Sequence, residues 1–115
     1  MRRGDVWWVD LDPVQPSEAG KRRPAVVVSG DSTNRAVERL DRGVVTVVPM
    51  TSNTSRVLSF QVFVPGVAVG LPGDSKAQAE QVRAVSCRRL RTFVGRLPAP
   101  LLTELDRALR LHLDI

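Results

Sequence analysis

A chain of 115 residues, 43% hydrophobic and 25% charged, is read as one domain, 1–115, built on a single core. No apolar run approaches the ~20 residues of a membrane helix, and Arg2 and Arg3 lead into Asp5, Asp10 and Asp12 rather than a signal-peptide core, so no membrane partner is expected. The net charge is +5, and only Lys21 and Lys76 of 17 basic residues are lysines, a bias that suits two-point phosphate binding or reflects arginine-favouring codons.

Taken in chain order, VWWVDLD (6–12) alternates as a half-buried strand, with Val9 and Leu11 on one face and Asp10 and Asp12 on the other. A polar loop follows over 13–22. PAVVVS (24–29) reads as a strand buried on both faces, with Pro24 tolerated as its first residue. Asp31, Ser32 and Asn34 offer N-caps for a short helix to about Leu40. VVTVVPM (44–50) is a third strand that Pro49 is expected to stop, and FQVFV (60–64) alternates as a fourth.

PGVAVGLPGD (65–74) carries two prolines and three glycines and reads as a loop. AQAEQVRAVSC and RLRTFVGRL continue as strand material. From Pro100, the leucines at 101, 102, 105, 109 and 113 line one face of a closing helix. Many short strands and one terminal helix predict a mostly β fold, a small, strongly curved antiparallel barrel.

Several chemistries are out of reach. His112 is the only histidine and Cys87 the only cysteine, short of the usual ligand count for zinc, so neither metal nor cofactor is expected. The lone cysteine makes no intrachain disulfide, which fits the cytoplasm. Neither GxxxxGK[ST] nor GxGxxG occurs. Asp10 and Asp12 share a strand face and suggest the start of a magnesium site, although a solvated face explains them more simply. Aromatics are 4% of the chain, and Trp7, Trp8, Phe60, Phe63 and Phe93 stand where core residues are expected, which argues against a stacking platform.

RGDVWWVDLDP followed by SEAGKRRPAVVVS resembles the start of the MazF/PemK family of toxin endoribonucleases. VPMTSN (48–53), DS (74–75), AEQVRAV (79–85) and the closing amphipathic helix follow in the family's order, nearly the whole length of the chain. The resemblance implies an SH3-like (PemK/CcdB-like) barrel that forms a homodimer and cleaves single-stranded RNA without a metal. It also implies a cognate antitoxin whose tail lies over the RNA site. Carried over by position, the catalytic arginine falls on Arg23, the threonine on Thr51, and the loop Ser-Glu pair on Ser17 and Glu18. Arg22 stands where relatives vary and 54–73 diverges, so base preference is not read from the resemblance.

Cutting RNA through its own 2′-hydroxyl needs a proton acceptor, a stabiliser of the phosphorane and a proton for the departing 5′-oxygen. Arg23, biased to extended backbone by Pro24, suits the second task and is a candidate for the third. Arginine is nearly useless as a base at neutral pH, so Glu18 is the expected acceptor, with Glu80 in reserve. Otherwise Glu18 merely neutralises Lys21 and Arg22. Ser17, Lys21, Arg22, Ser52, Asn53, Glu80, Gln81 and Arg83 form the expected RNA-contacting set. The product is expected to carry a 2′,3′-cyclic phosphate or 3′-phosphate opposite a 5′-hydroxyl. Two other readings compete: a toxin of the same fold that poisons DNA gyrase, and an RNA-binding module that does not cut. An antitoxin for a +5 chain is expected to bring an acidic, apolar-studded segment that is disordered until bound.

Overall fold

The computed structural model describes residues 1–11 and 22–115. In chain order the elements are β1 (Asp5–Asp10), β2 (Arg22–Val27), α1 (Asp31–Leu40), β3 (Val44–Thr51), β4 (Gln61–Val64), α2 (Gly66–Val69) and β5 (Ser75–Gln78). A 3₁₀ turn at Ala79–Gln81, β6 (Arg83–Ser86), a second turn at Cys87–Arg89, β7 (Leu90–Arg96) and α3 (Ala99–Leu113) complete it. The strands form a seven-stranded sheet in the order β4-β5-β3-β2-β1-β7, with β6 also pairing with β3. All pairings are antiparallel, as short strands joined by short connections favour. The sheet wraps like a barrel without closing. On the open side α3 folds back, burying Leu105 and Ala108 in the core with Val6, Val26, Val48, Met50 and Val64.

Period-two alternation divides the sheet into two faces. The inner face holds that core. The outer face is apolar at one end, where Val9, Leu11, Ala25, Val27, Val45, Val47 and Val85 pack under Val37 of α1. Towards the far ends of β2 and β3, the same face carries Arg23 and Thr51 instead.

Four expectations are corrected. β3 does not stop at Pro49 but runs on to Thr51. Its partner on that edge changes there: β6 pairs with Val44–Val47 and β5 with Met50 and Thr51, so Pro49 falls in the gap, where no β5 or β6 partner needs an N–H. The 65–74 stretch is not all loop; Gly66–Val69 makes one turn of helix, capped by Asp74, whose Oδ1 accepts from the Gly66 N–H at 2.9 Å. Gly30, not a side-chain cap, precedes α1, because Asp31 accepts from the Arg3 N–H and the buried Asn34 is exchanging hydrogen bonds with Ser29. Phe63 and Phe93 are not core residues but are 42% and 52% exposed, since both fall on the outward parity of their strands. Leu113, at the last turn of α3, is also about half exposed.

The α2 turn is wedged against β7. A Cβ at Gly95 would lie 2.1 Å from the Val69 carbonyl oxygen, and one at Gly66 would lie 2.4 Å from that of Gly73. Both obstacles are backbone, which has nowhere to go. Gly95→Ala is therefore expected to destabilise the fold by about 1–3 kcal/mol through overpacking. In a thermal melt the midpoint should fall by roughly 5–15 °C; an unchanged midpoint would show that α2 does not seat on β7.

Candidate functional site

The site is made where β2 and β3 stop pairing. Their register runs from Val27 opposite Val47 to Ala25 opposite Pro49. Two residues further out, Arg23 and Thr51 face each other on the same side of the sheet, past the last ladder bond. β1 supports β2 from behind along its whole length, with Val9 opposite Arg23 and Asp10 opposite Arg22. Pro24 sits just beyond the last β2–β3 pair, so its missing N–H costs no bond to β3.

Two clefts open from this point, and Arg23 and Thr51 line both. One, of about 420 Å³, is walled by Trp8, Arg22, Pro24, Met50 and Ser52 on one side and by residues 71–75 on the other. The second, of about 370 Å³, lies on the outer sheet face with Leu11, Pro49, Gln78, Gln81 and Arg83. Arg23 and Thr51 are half-buried. They neither point apart nor lie sealed beneath the chain.

The charges around them are unevenly paired. Asp10 receives Arg91 Nε on Oδ2 at 2.6 Å and Arg22 Nε on Oδ1 at 3.0 Å, and its carbonyl accepts from the Arg89 guanidinium at 3.2 Å. The Arg91 hydrogen bond above all, aided by Arg22 and against a desolvation cost, holds the Asp10 carboxyl below its ordinary 3.8. Arg3 and Arg96 are likewise tied to Asp106 and Asp5. Among the described residues no carboxylate pairs with Arg23. Its guanidinium is thus a cation left for something anionic.

Thr51 Oγ1 accepts from the Asn53 N–H at 3.3 Å, which leaves the hydroxyl proton available to donate. Asn53 itself is occupied, its carboxamide oxygen accepting from the Ser55 hydroxyl at 2.8 Å. Glu80 lines neither cleft; its Oε2 accepts from Gln61 at 2.8 Å and its Oε1 is buried. Ser17, Glu18 and Lys21, with Asp12, lie outside the described residues. The structure therefore gathers Arg22, Arg23, Thr51, Ser52, Gln81 and Arg83 and sets Glu80 apart. It adds Trp8, Asp74 and Gln78 to the walls, residues that sequence reasoning missed. Gln78 carried a usable signal, the alternation of SKAQ on β5. Asp74 is the one carboxylate that lines these clefts among the described residues. Among the described residues no group of three His, Cys, Asp or Glu side chains comes together as a metal ligand set, and no described helix is long and apolar enough to cross a membrane.

Comparison with known proteins adds to this geometry. Residues 2–113 match the family described as PemK-like, MazF-like toxin of type II toxin-antitoxin system. The chain is 54% identical over 115 residues to endoribonuclease MazF9 of Mycobacterium tuberculosis, covering all of this chain and 98% of that one. Among solved structures it superposes on MazF from Deinococcus radiodurans with a TM-score of 0.78 at 27% identity, covering 100% of this chain and 97% of the other. It also superposes on a MazE-MazF structure from the same organism with a TM-score of 0.77 at 26% identity, again over 100% and 97% of the two chains.

The Asp10 cluster has a pH signature. A carboxylate whose folded pKa is depressed contributes stability above its unfolded pKa and loses that contribution as pH falls through the folded one. The stability gap between the wild type and Asp10→Asn, measured by urea unfolding, should be widest near pH 7. It should begin to close below about pH 4 and be gone once the folded carboxyl protonates; a gap that persists in strong acid would mean that Asp10 acts through shape, not charge.

Proposed function

This chain belongs to the PemK-like, MazF-like toxins of type II toxin-antitoxin systems, and from that premise we propose that it is an endoribonuclease toxin, one domain spanning 1–115, acting in the cytoplasm on single-stranded RNA without a metal. The observation that supports this most is the Arg23 guanidinium, paired with no carboxylate among the described residues, facing Thr51 where two open clefts meet. A phosphodiester lodged between them would meet a fixed cation on one side and a hydroxyl donor on the other. Both groups sit on strands anchored in the core, so little reorganisation is needed as charge builds, the condition under which electrostatic stabilisation is most effective.

The reaction requires nothing beyond the RNA itself. The ribose 2′-oxygen attacks the adjacent phosphorus, its proton passes to Glu18, and a phosphorane forms whose added charge Arg23 and Thr51 stabilise. The bond to the 5′-oxygen then breaks, that oxygen takes a proton from Arg23, and proton exchange with solvent returns Arg23 to its cation and Glu18 to its carboxylate. The products of this step are a 2′,3′-cyclic phosphate and a 5′-hydroxyl end; addition of a water molecule in a second step opens the cyclic phosphate to a 3′-phosphate. Arg22, Ser52, Gln81 and Arg83 line the clefts as RNA contacts, with Trp8 and Gln78 in the same walls; Ser17, Lys21 and Asn53 complete the RNA-contacting set. Glu80, whose Oε2 accepts from Gln61, lines neither cleft and is given no part in this step.

A partner follows from the charge. A related toxin has been solved with MazE, and a +5 chain with an unneutralised arginine in an open cleft suits an acidic, apolar-studded antitoxin segment that orders on binding. Occupation of the Arg23 cleft by such a carboxylate would exclude RNA. The toxin is expected to act as a homodimer, as its family does.

Incubated with mixed-sequence RNA in EDTA, the pure protein should cut, and the new ends should be cyclic phosphate and 5′-hydroxyl. Direct formation of a linear 3′-phosphate, or cutting that stops with the chelator, would contradict the route. Arg23→Ala should lower the cutting rate by at least ~10²–10³ while RNA still binds; full activity in that variant would overturn the assignment. Glu18→Gln should cost about 10²-fold or more and Asp74→Asn far less. The reverse order would move the base to Asp74, the carboxylate that visibly lines the cleft.

A further inference from the structure

The outward faces of β4 and β5 carry a second feature, next to the cleft but not part of it. On β5, Lys76 lies directly opposite Thr51 of β3, and on its other side directly opposite Phe63 of β4. Arg23, Thr51, Lys76 and Phe63 thus form one cross-strand row on one face. At about 4.8 Å between paired strands, the stretch from Thr51 to Phe63 spans roughly 10 Å, with Arg23 beyond it across the cleft. The residues alternating with them, Met50, Ala77, Val62 and Val64, point into the core, so the row is held outward by buried neighbours.

Phe63 is 42% exposed, and none of its ring contacts is with another aromatic. A large aromatic left open beside a cation and a phosphate site is costly unless something covers it. Lys76 is fixed in place: its Nζ donates to the Arg56 carbonyl at 2.5 Å, leaving further N–H donors free. No carboxylate pairs with it among the described residues. A rigid ring, a positioned ammonium and continuity with a phosphate cleft are the components of a single-strand nucleotide site, where an aromatic stacks a base and a cation holds its phosphate.

We propose that Phe63 and Lys76 form a subsite for a nucleotide flanking the scissile one, Phe63 stacking its base and Lys76 holding its phosphate. This rests on the endoribonuclease reading and deepens it, by giving the RNA a direction of travel: from Arg23 across β3 and β5 to β4. Because stacking tolerates any base, the subsite contributes affinity and register more than sequence choice.

The probe is a mixed-sequence RNA oligonucleotide with 2′-fluoro in place of every 2′-hydroxyl, which the proposed reaction cannot cut. A chain of abasic tetrahydrofuran spacers of equal length keeps the phosphates and lacks the bases. Binding is followed by fluorescence anisotropy, with the size of the protein checked by light scattering. Phe63→Leu should weaken binding of the 2′-fluoro RNA about 10-fold, and Phe63→Trp should restore it. On the spacer chain the wild type and Phe63→Leu should bind alike. Lys76→Gln should weaken both ligands and reduce the slope of log affinity against log salt by about 0.7. Unchanged RNA binding in Phe63→Leu would overturn the subsite, as would an equal loss on the base-free chain. A loss that accompanies a change in oligomeric state would reassign the ring to contact between copies. Wild-type cutting of ordinary RNA is scored separately: its failure would overturn the enzyme reading, while the binding arm would still decide whether this row holds a nucleotide.

Discussion

The ladder between β2 and β3 extends from Val27 opposite Val47 to Ala25 opposite Pro49 and goes no further. Much else follows from that end point. Proline has no N–H to give, so a strand carrying one must place it where no partner waits. Pro49 lies where the β3 edge passes from β6 to β5, and Pro24 lies one residue beyond the β2–β3 ladder. Between the last residues of β2 and β3 there is consequently a gap rather than a hydrogen-bonded sheet, and Arg23 and Thr51 frame it. Had the ladder continued, the same two side chains would stand on an unbroken surface with no cleft between them.

Charge sorting completes what the gap begins. An arginine-rich surface would in principle draw phosphate anywhere, but beside the cleft the pairing is uneven. Asp10 binds Arg22 and Arg91, Asp5 binds Arg96 and Asp106 binds Arg3. Such partly exposed pairs are each worth roughly 0–1 kcal/mol, too little to explain the fold. Their consequence is positional. Asp10 draws Arg22 back across the β1–β2 ladder, directly beside Arg23, which among the described residues has no acidic partner. One of two adjacent arginines is committed to the scaffold and the other to the cleft.

Much of this was legible in the sequence because alternation and punctuation are local. VWWVD, PAVVV and VVTVV announce strands by residue type, and the leucines after Pro100 announce a helix. What failed did so where a distant partner decides. Pro49 reads as a stop until β5 and β6 are seen to divide the edge of β3 between them. Phe63 and Phe93 read as core because aromatics usually are, yet strand parity turns them outward. GVAV reads as loop among its prolines and glycines, but one helical turn suffices to seat it on Gly95. Arg23 and Thr51, which the structure sets on one side of the sheet, were singled out through the Arg-Pro and VPMT motifs of the family resemblance. Trp8, Gln78 and Lys76 were missed because only the register of non-adjacent strands brings them to the same place.

The arrangement separates what must stay fixed from what is free to vary. Arg23 and Thr51 stand one to three residues from Ala25, Val26, Val48 and Met50, all fully buried, so their backbones move only if the core moves. The walls are different in kind. Residues 52–60 and 71–74 are connections whose side chains are largely exposed, and they reach the cleft without contributing a strand to its floor. Substitution there changes what fits beside the phosphate without disturbing the groups that grip it. The row through Lys76 and Phe63 belongs with the fixed part, since Ala77, Val62 and Val64 anchor it from the inner face. On the proposed function, the rigid surface is a track for backbone and base stacking, and the choice among bases falls to the connections that overhang it.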